Sequence, residues 1–492
     1  GDSGSTSIER QAIARCTNGD ILVSTAIGDW PGYERTRFVR CTAYGAPLQA
    51  WDITGSVEGQ VRQIIPLSDG TFACFGKRSS WALYMRLAAD GTLLVAKGYR
   101  VGNSSCDWFQ AVQADENSFE VVGAGGFVNT GMRGRIALDG TLLSGNTLTV
   151  GSGISFLNSV VKRAAGGYVA ACGSNAIDTG LVKVIAWDDA GNVQWSTTLA
   201  DTIRTHTYAK VFELSDGTLR LVTRYQQPGK HGLSMAALDA DGDLLWMRRR
   251  VASGPHSELT NVAPNAVLLD DDHIMVYGRE GNTDDEFIHI VDTEANEVNL
   301  GFLGPTTAWG QLLNAMPAGS GYVDLIGAGP GPFSLPSGRL SMSVIHTNAD
   351  LDLCGVNYES TALVDWIPFL SSTWAPGSGS IAVTDLLADL VRTPATAYVS
   401  PICNAMAVDD AEALLQVGVS PNPSTACFLL QGVAMDQVLV FDALGRTVMR
   451  TSLNGQRTAI IDLGDRPDGS YHAIVLHGRR WESLNLVKQR TD

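Results

Sequence analysis

One arrangement recurs seven times in the first 355 residues: a tight turn, an apolar strand, a variable loop, a second apolar strand, an Asp/Gly turn and a third strand. It is clearest in "SDGTFACFGKRSSWALYMRLAADGTLLVAKGYR" (68–100), "AGGYVAACGSNAIDTGLVKVIAWDDAGNVQWSTTL" (165–199) and "SDGTLRLVTRYQQPGKHGLSMAALDADGDLLWMRRR" (215–250). The same frame fits 18–53, 115–148 and 270–303, and more loosely 319–355, with the first turn returning near 19, 70, 116, 167, 217, 271 and 321. Short apolar strands such as "QVRQIIPL" (60–67) and "YAKVFEL" (208–214) lie between copies, giving four strands per period of about 50 residues. Such a unit cannot bury its own faces, so copies must pack face to face in a ring. Near-continuous apolar runs such as "HIMVYG" suit sheets covered on both sides. The Asp-Gly and Asn-Gly pairs stand where a two-residue hairpin requires positive φ. The expected fold is all-β, a seven-bladed β-propeller over 1–403 carrying a Ser/Thr/Pro-rich insertion at 356–403.

Bulk composition narrows the function classes. Apolar residues make up 45% of 492, enough for a large core, and 53 glycines against 17% charged residues match turns and short strands rather than long helices. A net charge of −16 argues against nucleic acid and anionic membrane surfaces as partners. No apolar run is long enough to span a bilayer as a helix, so membrane insertion is not expected. The opening "GDSGSTSIER" reads as a mature or trimmed terminus.

Familiar catalytic signatures are missing. There is no G-x-S-x-G elbow, H-E-x-x-H or P-loop, and the eight histidines have no ligand spacing. His289 and His346 fall at equivalent third-strand positions, which suits packing. The glycines of "GAGGFVNTGMRG" (123–134) lie in a variable loop with no helix after them, so a dinucleotide site is not expected. Asp239, Asp241 and Asp243 in "DADGD" alternate as in acidic calcium loops, but lack the glutamate and full oxygen count. A plain hairpin turn is the better reading. "GNTDDEF" (281–287) and "GDWPGYERTRF" (28–38) could touch sugars or simply be solvated loops. No catalytic residue, cofactor or metal is expected. The copies resemble the degenerate propeller repeats of bacterial surface proteins, best in Trp195 ("DDAGNVQW") and Trp246 ("DADGDLLW").

None of the eight cysteines forms a C-x-x-C, so a structural metal is not expected. Cys74 and Cys172 sit in apolar strands and read as buried thiols. Cys354 and Cys403 lie in polar loop sequence at either end of a long Ser/Thr/Pro/Ala-rich stretch. They are the expected disulfide if the compartment is oxidising, contributing about 3–4 kcal/mol through loop entropy.

After an acidic linker at 404–416 the chain changes character at "VGVSPNPSTACFLLQG" (417–432). Period-2 runs divided by glycine turns then predict a small antiparallel, immunoglobulin-like β-sandwich over 417–492. Pro421 and Pro423 are expected to fix an extended edge. This stretch resembles the C-terminal sorting domain of the Bacteroidetes type IX secretion system. The resemblance rests on Pro421-Asn422-Pro423, Asp442 with Gly445-Arg446, Asp462-Leu463, Gly469-Ser470-Tyr471, and the basic last strand ending at Lys488. Two departures stand out: Ser424 to Cys427 replace the family's usual glycine, and four residues follow Lys488. An ordinary immunoglobulin-like accessory domain is the alternative for the same residues.

The resemblance implies an exported protein. A signal peptide would take it to the periplasm, and the type IX translocon across the outer membrane. An outer-membrane shuttle protein would read the tail, and a surface peptidase would cut within roughly 404–417. The body would then be secreted or held at the cell surface, as an adhesion, glycan-binding or structural module. Two alternatives remain open: a secreted lyase or glycosidase, and an assembly block that keeps its tail.

Overall fold

The computed structural model describes residues 11–29, 32–43, 47–55, 59–125, 130–149, 155–174, 181–200, 205–227, 230–250, 265–279, 286–303, 311–319, 322–329, 341–348, 351, 356–358, 364–366, 370–372, 381–385, 390–394, 418–442, 447–477 and 480–489. The chain divides into two compact units, Gly1–Met406 and Ala407–Asp492. Among the described residues every regular element is a strand.

The first unit holds, among its described residues, seven small antiparallel sheets. Their first strands are Gln11–Arg15, Gly59–Pro66, Cys106–Asp115, Ser155–Lys162, Thr205–Glu213, Asn265–Leu268 and Gln311–Gly319. In sheets one to six the chain steps through four consecutive strands; in sheet seven three are described. Each first strand packs against the first strand of the next sheet, and that of sheet seven packs back against that of sheet one. First strands therefore face the centre and fourth strands the rim, a β-propeller-like arrangement. Apolar clusters fill the gaps between neighbours. Phe75, Tyr84, Phe119 and Trp108 lie between sheets two and three, and Ile13, Val23 and Ile326 between sheets one and seven.

The periodic turns hold the sheets in register with one another. Turn aspartates Asp69, Asp90, Asp139 and Asp216 each accept the amide of the threonine two residues on, at 2.8–2.9 Å. In the turns between the third and fourth strands, four glycines with positive φ, Gly91, Gly140, Gly191 and Gly242, lie directly under a side chain of the preceding sheet. A Cβ on Gly91 (φ +82°) would stand 2.5 Å from the Trp51 ring, and one on Gly242 (φ +87°) 2.4 Å from the Trp195 ring. Arg133 reaches the turn of the next sheet by donating to Gly191 O at 3.0 Å. At the seam between sheets seven and one, Arg15 Nη2 meets the fully buried Asp324 Oδ2 at 2.5 Å.

The stretch expected as an insertion behaves differently in its described parts. Val356–Tyr358 adds to the outer edge of sheet six, Val364–Trp366 to sheet five and Leu370–Ser372 to sheet four. Ala382–Asp385 then adds to sheet two and Leu390–Pro394 to sheet one. The chain thus runs back along the rim in reverse sheet order, as a strap that covers exposed sheet edges. Cys354 and Cys403, at the two ends of this stretch, lie outside the described residues. Cys16, Cys41, Cys74, Cys106, Cys172 and Cys427 are free thiols.

The second unit consists of strands Gly418–Ser420, Cys427–Phe441, Thr447–Asp462, Gly469–His477 and Arg480–Lys488. The two long strands pair along their length, with register breaks between Gln431 and Gln437 where the ladder bends. The first half of Cys427–Phe441 also pairs Gly418–Ser420, and its second half pairs Gly469–His477. Phe428, Leu430, Val438, Val440, Ile461, Tyr471, Val475 and Leu486 form one buried cluster, so the unit has a core of its own.

Candidate functional site

Five of the seven first strands carry a one-residue bulge at the same level: Arg62, Phe109, Asn158, Tyr208 and Leu313 each stand opposite no partner residue. A bulge re-aims the side chains around it. Here it gathers polar groups where the first strands meet. Arg62 forms a two-point ion pair with Asp107, Nε to Oδ1 at 2.9 Å and Nη2 to Oδ2 at 2.6 Å. Its guanidinium lies 4.4 Å from the Phe109 ring centre, and Phe109 packs on Phe156 at 5.3 Å. Gln63 exchanges two hydrogen bonds with the backbone of Ala111, at 2.9 and 2.6 Å.

Two bonds cross the centre rather than follow the ring. Asn314 Nδ2 of sheet seven donates to Arg62 O of sheet two at 3.1 Å. Lys210 Nζ of sheet five donates to Gln110 Oε1 of sheet three at 3.5 Å, a long and weak bond that passes the first strand of sheet four. There Asn158, 8% exposed, holds its Oδ1 buried with no partner among the described residues. Burial, together with the charge of Arg62, lowers the Lys210 ammonium to about 8. Among the described residues this is a cation with no carboxylate partner, set in a chain of net charge −16.

The other sequence candidates resolve into structural roles. Asp239 Oδ1 accepts the amides of Asp241 and Asp243 at 3.0 and 2.8 Å, as the other turn aspartates do. Among the described residues no group of three His, Cys, Asp or Glu is placed to hold a metal. His289 is buried, with Nε2 3.2 Å from Glu297. Trp195 packs on the next turn as a docking residue, while Trp246 lies under the guanidiniums of Arg220 and Arg248.

In the second unit the motif residues converge. Asn422 donates to Asn485 O at 2.6 Å and accepts from Val487 N at 2.8 Å, tying the Pro421–Pro423 segment to the last strand. Both prolines follow cis peptides and lie in a bend rather than the extended edge expected of them. The same segment is held again where Ser424 N donates to Val487 O and Gln489 N to Ser424 O, both at 2.9 Å. Lys488 Nζ caps the carbonyls of Gly464, at 3.1 Å, and Arg466, with Asp468 at 3.6 Å. Tyr471 donates to Pro467 O at 2.6 Å, two residues before Gly469 (φ +151°). Asp442 is half-buried at the end of its strand, while Gly445 and Arg446 lie outside the described residues.

No family model matches the chain, and no curated protein matches it. Among solved structures it is similar to a protein of unknown function from Dyadobacter fermentans, at 13% identity over 69% of this chain and 94% of that one, TM-score 0.37. Prolyl oligopeptidase B from Galerina marginata gives 12% identity over 70% of this chain and 47% of that one, TM-score 0.34. An alpha-L-arabinanase from Penicillium chrysogenum, solved with arabinobiose, gives 11% identity over 71% and 95%, TM-score 0.31.

Proposed function

We propose that the chain is an exported cell-surface binding module: a seven-bladed propeller that displays a ligand site at its axis, followed by an immunoglobulin-like type IX sorting domain. The observation that carries the export half is the convergence of Asn422, Tyr471 and Lys488, which lie 66 positions apart at the extremes and together tie the tail's bend, last strand and turn. A surface so assembled would be what an outer-membrane shuttle protein reads, with the surface peptidase cutting in the linker that precedes it. The test is the intact mass of the protein taken from its native cells. A mass truncated near 404–417 supports the reading; an unprocessed cytoplasmic protein overturns it. A surface protein whose mass runs to Asp492 would make the tail a retained assembly contact.

Binding and lyase chemistry at Lys210 make different demands on its proton. An eliminating lyase needs a neutral base to take the proton beside a uronate carboxylate while the glycosidic oxygen leaves. With its ammonium at about 8, Lys210 is mostly charged at neutral pH, and a bound carboxylate would raise it further. The binding reading uses this charged form, which a ligand carboxylate would hold, whereas a lyase would use the neutral form. Incubation with polyuronate should yield no unsaturated product; its appearance would reverse this choice.

A further inference from the structure

We propose that the centre of the ring binds an acidic sugar unit, with Lys210 and Arg62 taking its carboxylate and Asn158 taking a neighbouring hydroxyl. This rests on the binding-module reading and names its ligand class. Lys210 is held by one 3.5 Å bond to Gln110, leaving ammonium hydrogens to spend. Arg62 uses Nε and Nη2 on Asp107, and Nη1 has no partner among the described residues. The Phe109–Phe156 pair backs the guanidinium and fixes its plane. Asn158 Oδ1 is an acceptor in a buried place, where an unmade hydrogen bond is costly. Donors that suit a carboxylate, beside an acceptor that requires an O–H, describe a hydroxylated acid rather than a bare anion.

Arg62 and Asn158 occupy matching bulge positions on sheets two and four, and Lys210 lies two residues beyond the corresponding bulge, Tyr208, on sheet five. Lys210 crosses to Gln110 over the strand that carries Asn158, so the groups share one place on the axis. The charges acting there among the described residues are Arg62, bound to Asp107, and Lys210 itself. A partly buried cation with no carboxylate partner among the described residues is destabilising by itself and makes sense when a ligand supplies the anion.

The test is calorimetric titration of the full chain with trigalacturonate, neutral galactotriose and sodium sulfate. Trigalacturonate should bind, and Lys210→Met should weaken it about 10- to 100-fold, the loss expected for one charge-assisted hydrogen bond. Asn158→Ala should weaken trigalacturonate while leaving any sulfate binding unchanged. Lys210→Met removes a partly buried charge, so the variant should melt no lower than the parent, which separates lost binding from lost folding. Bound uronate should also raise the titration midpoint of the Lys210 ammonium, followed by NMR, from about 8 toward the usual lysine range. Equal uronate affinity in Lys210→Met, or an unmoved ammonium, overturns the proposal. Sulfate binding as tightly as uronate and ignoring Asn158 overturns the sugar assignment. Neutral sugars binding independently of Lys210 would sink this site and leave the binding-module reading standing.

Discussion

The two units are stabilised in contrasting ways. In the first, one device is repeated: a side chain of one sheet rests on the positive-φ glycine turn of the next, as Trp51 does on Gly91 and Trp195 on Gly242. In the second nothing repeats, and a few unique residues, Asn422, Tyr471 and Lys488, fasten the chain's start to its last strand. A ring distributes its stability over equivalent seams and lets individual positions drift, so Ala295 (φ +64°) occupies a turn where four other sheets use glycine. A small unit without repeats depends on particular contacts. That is the physical reason the second unit is legible as a motif while the first is legible only as a period.

The contrast can be broken at its strongest point first. Trp51→Ala should remove a fully buried ring and cost about 3–5 kcal/mol. Scanning calorimetry should show the first unit's transition falling while the second's holds; a common shift would mean that the two do not fold independently. Lys488→Ala should do the reverse, lowering only the second unit by about 2 kcal/mol, since two carbonyls lose a charged donor. In the strap, Thr384→Pro should cost about 1–2 kcal/mol and speed amide exchange in Leu93–Arg100, the strand it pairs with. No change in exchange there would show that the rim is stable without its added strand.

The smallest effect sharpens the comparison through pH. Hydrogen bonds from Thr71, Thr141 and Thr218 hold Asp69, Asp139 and Asp216 below the usual carboxylate range, chiefly through side chain and amide together. Asp115 is lowered to about 2, first by Ser118. Their folded values lie below the unfolded ones. The stability they contribute is therefore complete above about pH 4 and is lost as pH falls toward about 2. The first unit's melting temperature should decline across that window, and Asp115→Asn should flatten the decline. Lys210 adds a second window of the same sign at higher pH. Its folded value of about 8 lies below the unfolded one, so stability should rise as pH climbs from about 8 to about 10. Lys210→Met should abolish that rise.

Much of the fold was legible because it is written locally. The period of about 50 residues, the Asp-Gly turns and the apolar strands fix the number and order of the strands, since turn chemistry and burial act within a few residues. The tail motif was legible for the same reason, apart from the bend at Pro421–Pro423, which depends on Asn422 reaching Val487 from 65 residues away. The strap was not legible: "VNY", "VDW" and "LSS" are too short to announce strands, and they become strands only because open sheet edges stand ready to pair with them. The axial site was not legible either. Arg62, Asn158 and Lys210 stand among other polar residues in three separate strands, with nothing beyond the common period to relate them. Sequence alone determined the repeat, the turns and the change of pattern at 417. Only the tertiary structure decided which polar side chains meet, because closing the ring brings together positions that the period keeps about 50 residues apart.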